Sequence, residues 1–244
     1  MIAEYPTAIV TGASSGIGRQ TSILLASAGY HLILVARDPN KLDQTVDLAR
    51  KTTPHDIDVE VLSMDLSDPR SGPLIAAKAG DRFGRIDAVA NVAGYCPMMT
   101  IQQVTPDEWT KVIDTNLSCI VHLTRAVWPI LSQQNGGTIV NVSSITSVDP
   151  LPNLAIYATA KAAVNTFTYY TAEEGNEVGI QAVAIAPGAV ETPMLRSQID
   201  EQALSPAQTL DPKTVAQMIV DCITGKQSFE PGQTILMPSE GLVR

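Results

Sequence analysis

Seven short apolar runs, rich in β-branched residues and separated by stretches of helical pattern, organise the chain from end to end. They are TAIVT (7–11), HLILVA (31–36), IDVEVLSM (57–64), IDAVANV (86–92), GTIVNVSS (137–144), GIQAVAIAP (179–187) and TILM (234–237). A helix is predicted from Gly16 to about Ser27, a second through Leu42, Val46 and Leu48, and the last over about 211–224. Apolar strands that alternate with helices imply a parallel sheet covered on both faces. Right-handed crossovers then give a doubly wound α/β sheet of about seven strands. No repeat, low-complexity stretch or linker divides the chain, so one domain over 1–244 is expected. One irregular segment, TPMLRSQIDEQALSPAQTL (192–210), follows the C-terminal end of a strand, where substrate loops and lids belong.

Composition narrows the partners. Lys plus Arg number 16 against 25 Asp plus Glu, a formal charge of −9, and no basic run exists. A nucleic-acid partner would lack its electrostatic footprint, and acidic macromolecules are disfavoured for the same reason. The three cysteines (Cys96, Cys119, Cys222) and three histidines (His31, His55, His122) have no metal-ligand spacing. A reducing compartment and no metal are therefore expected. The opening MIAEYPTAIVTG carries Glu4 and Pro6 and no basic stretch, so no signal peptide is expected. No apolar run reaches the roughly 18 residues that span a bilayer. These features predict a cytoplasmic protein with neither membrane nor nucleic acid as partner.

The first strand-to-helix turn, TGASSGIG (11–18), places glycines at 12, 16 and 18. Such glycines permit positive φ and close backbone approach, and the loop amides with the helix dipole favour a pyrophosphate. The same letters contain GxSxG at 12–16, the nucleophile-elbow pattern of serine hydrolases. That mechanism needs a histidine late in the chain, and none lies in the second half. A hydrolase is a remote alternative, and a purely structural glycine turn is another.

In IYATAKAAV (156–164) Tyr157 and Lys161 stand four residues apart, on one face of a helix. A phenol has a pKa near 10 and is a poor acid-base group unaided. A cation within about 4–6 Å favours phenolate, and a three-unit shift takes about 4 kcal/mol. A lysine one turn away could supply part of it. Ser144 lies at the end of the GTIVNVSS strand, where its hydroxyl could bond the same substrate oxygen. Asn116, in VIDTNLS, sits in a helical stretch where Asn has poor propensity. Taken alone, the Tyr–Lys pair also reads as two residues on a solvated helix face.

Together these motifs make the chain resemble a short-chain dehydrogenase/reductase, a Rossmann-like family, nearly end to end. Thr11, Gly12, Gly16 and Gly18 match its TGxxxGxG turn, and Asp65, in MDLSD, its adenine-contacting acid. Asn91, Ala93 and Gly94 match its NNAG element, although position 92 is Val where the family usually has Asn. Asn116, Ser144, Tyr157 and Lys161 match its catalytic tetrad, and Pro187, Gly188 and Thr192, in PGAVETP, its carboxamide-holding segment. The resemblance implies that Tyr157 is the general acid/base. Lys161 would lower its pKa and bind the nicotinamide ribose, Ser144 would position the carbonyl or hydroxyl, and Asn116 would hold a relay water. It implies cofactor contacts from Gly12, Ser14, Ser15, Gly16, Ile17, Gly18, Arg37, Asp65, Leu66, Asn91, Ala93 and Gly94. Tyr157, Lys161, Pro187, Gly188, Val190 and Thr192 complete that set. Relatives pair through the helices carrying Asn116 and Tyr157, so a homodimer or homotetramer is expected.

The second strand ends LVARD, where NAD enzymes of this architecture carry an acid for the ribose 2′-hydroxyl. Ala36 would not repel a 2′-phosphate, and Arg37 could clasp it. NADP(H) is the expected cofactor. NAD(H), with Asp38 as ribose reader, is the alternative, since position 15 is Ser where many NADP-binding relatives carry a second base. Met98, Met99, Val148, Leu151, Met194 and Leu195 are expected to edge the substrate site. A partly apolar, small to medium ketone or secondary alcohol follows, and an acyl-carrier protein is disfavoured. Arg196 is the lid's only base. The function expected is carbonyl–alcohol interconversion with a nicotinamide cofactor. A dinucleotide-binding sensor, which would typically lack the tyrosine or lysine, is the alternative from another class.

Overall fold

The computed structural model describes residues 5–240. The expectation that concerns Glu4 lies outside them. Seven strands, β1 (Thr7–Thr11), β2 (His31–Ala36), β3 (Val59–Ser63), β4 (Ala88–Asn91), β5 (Gly137–Val142), β6 (Ile180–Pro187) and β7 (Thr234–Met237), form a single sheet. Its order is β3-β2-β1-β4-β5-β6-β7, and every pairing is parallel.

The inner strands bury both faces because alternate side chains enter two different cores. Ala8 and Val10 of β1 join Leu32 and Leu34 of β2 under α1 (Gly16–Ser27), α2 (Pro39–Thr52) and α8 (Pro212–Ile223). Ile9, Ile33, Val89 and Ile139 point the other way. They pack under α3 (Ser71–Phe83), α5 (Cys119–Gln133) and α6 (Ala155–Gly175). Each fully buried leucine or isoleucine contributes roughly 1.5–3 kcal/mol, which holds helices to both sides of the sheet.

Four strands are shorter than their apolar runs, β6 by one residue and β3, β4 and β5 by more. At 57–64 the Asp58 N–H donates to His31 Nδ1 instead of to the ladder. At 86–92 the N–H groups of Val92 and Ala93 both donate to Thr11 Oγ1, so β4 stops at Asn91. At 137–144 the chain turns into a 3₁₀ segment, Ile145–Ser147, that Ser144 caps. The early stops of β4 and β5 leave irregular backbone at the C-terminal edge of the sheet. Strand order reverses between β1 and β4, and that switch point is where open α/β sheets form their binding crevice.

Candidate active site

A cavity of about 580 Å³ runs along the C-terminal edge of the sheet, within the usual range for ligand sites. Its floor begins at the turn after β1. Gly12 has φ +67°, and a Cβ there would lie 2.9 Å from the Ala93 backbone. A Cβ on Gly18 would lie 2.2 Å from the Gly12 carbonyl oxygen, so only glycine lets α1 sit this close. Ser15 precedes α1 in extended conformation, its side chain makes no cap bond, and the first turn holds no acid. The opening N–H groups of a twelve-residue helix are thus left for an anionic ligand. These residues fit a dinucleotide pyrophosphate on the chemistry of their donors.

Beyond β2 and β3 the wall carries Ala36, Arg37, Asp38, Lys41, Met64, Asp65 and Leu66. Asp38 caps α2: its Oδ1 accepts the Lys41 N–H at 3.2 Å, and Lys41 Nζ lies 3.8 Å from Oδ2. Asp38 is thereby tied to the start of α2. Arg37 is exposed and has no ion-pair partner among the described residues. Asp65 Oδ1 accepts from Ser67 N–H and Oγ, both at 2.9 Å. The Ser67 backbone bond, more than the Arg37 charge, holds its carboxyl below the usual range. Sequence reasoning missed Lys41. Its signal was the spacing: four residues after Arg37, in the first turn of α2, a side chain leans back toward the helix start and the crevice.

Opposite this end, Ser144, Tyr157 and Lys161 share one wall of the cavity. Lys161 is buried, donates from Nζ to the Val142 carbonyl at 2.8 Å and stands 5.7 Å from the Tyr157 ring centre. Its own carbonyl accepts from Ser143 Oγ at 3.0 Å, fastening α6 to the end of β5. Burial pulls the Lys161 ammonium down to about 8, with Cys119 and Cys96 opposing. Burial also raises the Tyr157 phenol, Cys96 adding to the rise and the Ser144 hydroxyl countering it. Ser144 Oγ accepts from the Thr146 N–H at 3.3 Å and the Thr146 hydroxyl at 3.0 Å. With both lone pairs engaged, its proton is free to be donated.

Two expected residues stand behind the wall rather than in it. Asn91 is buried and donates to Asn141 Oδ1 at 2.8 Å, a bond between adjacent strands. Asn116 lies in a π turn, Asp114–Ser118, that links α4 (Pro106–Ile113) to α5. Its amide donates to the Tyr95 carbonyl at 2.8 Å and the Val112 carbonyl at 2.9 Å, and its Oδ1 accepts the Tyr95 N–H at 3.1 Å. Both sides of the amide are engaged, which is why an asparagine sits in a helix here. The π turn gave no sequence signal; such turns recur at functional sites. Every other expected cofactor residue lines the cavity, Ser14, Ile17, Gly94, Pro187, Gly188, Val190 and Thr192 included.

The substrate-edging expectation is partly corrected. Met98, Leu151, Met194 and Leu195 line the cavity, whereas Met99 packs beside Val112 and Ile156, and Val148 faces solvent. Cys96, Thr146, Leu154, Gln198, Ile199 and Leu204 were not foreseen. The 192–210 segment is also more ordered than an open loop. A bridge joins Val190 to Leu210 across its ends, and α7 (Pro193–Arg196) opens it, capped by Thr192. Arg196 Nε donates to Glu191 Oε1 at 2.7 Å and Nη1 to the Leu204 carbonyl at 2.8 Å, folding the segment over the cavity. No histidine lines the cavity, so Ser14 in the GxSxG letters has no base beside it.

The short chain dehydrogenase family profile matches residues 6–203. The chain belongs to that family, and it is an oxidoreductase of the short-chain dehydrogenase/reductase kind. It is 33% identical over 238 residues to a 3-oxoacyl-[acyl-carrier-protein] reductase of Thermotoga maritima, covering 95% of this chain and 96% of that one. It is 28% identical over 231 residues to an uncharacterized oxidoreductase of Staphylococcus epidermidis, with 95% and 96% covered. The crystal structure of levodione reductase superposes with TM-score 0.89 at 27% identity, covering 97% of this chain and 96% of that one. Among the described residues no helix is long and apolar enough to cross a membrane, and no group of His, Cys, Asp and Glu could hold a metal.

Proposed function

We propose that the protein is an NADP(H)-dependent carbonyl reductase or secondary-alcohol dehydrogenase. The observation that carries this reading is the convergence of Ser144, Tyr157 and Lys161 on one wall of the cavity that opens at the uncapped start of α1. Two relatives are reductases by name, which supports carbonyl reduction as a direction. Bound at this turn, the nicotinamide cofactor supplies the hydride, and the chain supplies alignment and the proton.

In reduction Ser144 donates its free proton as a hydrogen bond to the carbonyl oxygen. Tyr157 delivers its phenolic proton to the same oxygen as negative charge develops there. Burial raises the phenol above its ordinary value, so the protonated donor predominates at neutral pH. Lys161, protonated below about 8, holds the ribose hydroxyls and stabilises the phenolate left behind. Asn116 acts through Tyr95, fixing the backbone between β4 and α4 beside the site. Arg37, with Lys41 as the second base that position 15 lacks, holds the 2′-phosphate. An apolar hollow lined by Trp128, Phe167 and Tyr170 on α5 and α6 supports pairing of two copies through these helices.

The test is a panel of ketones and secondary alcohols followed by nicotinamide absorbance, with each cofactor in turn. Turnover with NADPH exceeding that with NADH is the expected result. Tight binding of NADPH without turnover of any member would favour a sensor instead.

A further inference from the structure

We propose that the substrate is an uncharged ketone or alcohol, carrying no carboxylate or phosphate. This rests on the oxidoreductase reading above and deepens it. Charge in the cavity is divided between its ends. Over β1–β3 the wall holds Arg37, Asp38, Lys41 and Asp65, the end that suits the charged part of a dinucleotide. Over β4–β6 it is built from Met98, Leu151, Leu154, Met194, Leu195 and Leu204, with Thr146 and Gln198 as neutral polar groups. Lys161 is the only ionisable amine at this end among the described residues, and its Nζ is held by the Val142 carbonyl beside Tyr157.

The one base of the lid is withdrawn as well. Arg196 forms a two-pronged pair with Glu191, and its remaining nitrogen donates to the Leu204 and Ile199 carbonyls. Glu191 also accepts from Thr209. The pair is neutral as a unit and turned into the lid's own fold. An anion entering under the lid would lose hydration and meet no counter-charge except Lys161, whose Nζ is already held by the Val142 carbonyl, so its burial would be poorly compensated. The protein's net charge of −9 adds long-range repulsion. Gln198 is the polar contact left for a neutral substrate; its Oε1 accepts the Met98 N–H at 3.3 Å and ties the lid to the opposite wall.

A matched pair tests this: 4-acetylbenzoate and its methyl ester share ring and ketone and differ in charge. NADPH consumption gives kcat/KM for each, and calorimetry on the NADPH-loaded protein gives the affinity of each. The ester is expected to be favoured by about 100-fold or more. Parity within about threefold, or preference for the carboxylate, overturns the inference. If neither is reduced, binding decides. Ester binding without carboxylate binding keeps the uncharged pocket and counts against the carbonyl-reductase reading, while failure of both to bind at millimolar concentration overturns the inference. Leu195→Arg should shift the ratio toward the carboxylate by about tenfold or more, since it supplies the missing counter-charge. Leu151→Lys, from the other side of the mouth, serves if circular dichroism shows the first variant unfolded, and an unchanged ratio in a folded variant also counts against the inference.

Discussion

Replacing Arg37 by alanine removes the one wholly unpaired cation at the nucleotide end of the cavity. The guanidinium is exposed and forms no ion pair among the described residues, so its loss disrupts no internal bond. Stability should change by no more than about 0.5 kcal/mol, which keeps the binding readout clean. A hydrogen bond to a charged group contributes about 1.5–3 kcal/mol, so NADPH affinity should fall roughly 10- to 150-fold. NADH has no group at that place and should bind unchanged. Lys41→Ala should weaken NADPH less, because its ammonium is shared with Asp38 at 3.8 Å. Adding Ala36→Asp to Arg37→Ala should reverse the preference, since the new carboxylate bonds ribose hydroxyls and repels a phosphate. Fluorescence titration of each reduced cofactor measures all of this. The wild-type preference should shrink with salt, as expected of charges at a solvent-facing mouth. Equal affinity of the wild type for both cofactors, or an equal loss of both in Arg37→Ala, would refute the assignment.

Four further outcomes are expected. Tyr157→Phe keeps the ring and removes the proton, so turnover should drop about 10²–10⁴-fold with cofactor affinity nearly kept; a variant with a third of wild-type turnover would sink the mechanism. Ser144→Ala should lower kcat with little loss of cofactor binding, whereas Lys161→Ala should lower both, and cofactor titration showing the reverse order would contradict the two roles. Carbonyl reduction should be level below pH 8 and decline above it, because Lys161, held at about 8, loses its proton there while the phenol stays protonated; a rate flat through that range would exclude Lys161 as the controlling group. Arg196→Met should speed amide exchange across 197–209 and raise KM more than it lowers kcat; unchanged exchange would show that the Glu191 pair does not hold the lid.

How legible each part was follows from the kind of interaction that builds it. Buried strands could be read because period and apolarity are local properties, and β1, β2 and β7 fall on the runs that predicted them. The end of β4 could not, since it is set by a side chain distant in sequence: Thr11 takes the N–H groups of Val92 and Ala93. That bond also explains why Val at 92, against the usual Asn, leaves the turn intact, because the support comes from a hydroxyl on the neighbouring strand. Ser144, Tyr157 and Lys161, assigned to the tetrad through the family resemblance, do line one cavity. The orientation of Asn116 was not legible, because it depends on a π turn and on the backbone of Tyr95.

The lid shows the other limit. Its residues carry no motif, and Met99 and Val148 differ from Met98 and Leu151 only in the direction the chain takes. Val148 ends the 3₁₀ segment pointing outward, and Met99 is drawn against α4 and α6 by Val112 and Ile156. Arg196 illustrates the same point with charge. Read in sequence, it is the only base of the 192–210 segment. Folded, its guanidinium is closed by Glu191 and by backbone carbonyls, so the charge that looked available becomes the fastening of the lid. Composition could count the base, but only the fold could show that it faces away from the substrate. The two ends of the cavity are thus built differently: Ser144, Tyr157 and Lys161 are placed by α6 and the end of β5, whereas 192–210 is held by Arg196, Thr209 and Gln198 through bonds to Glu191, Leu204 and Met98.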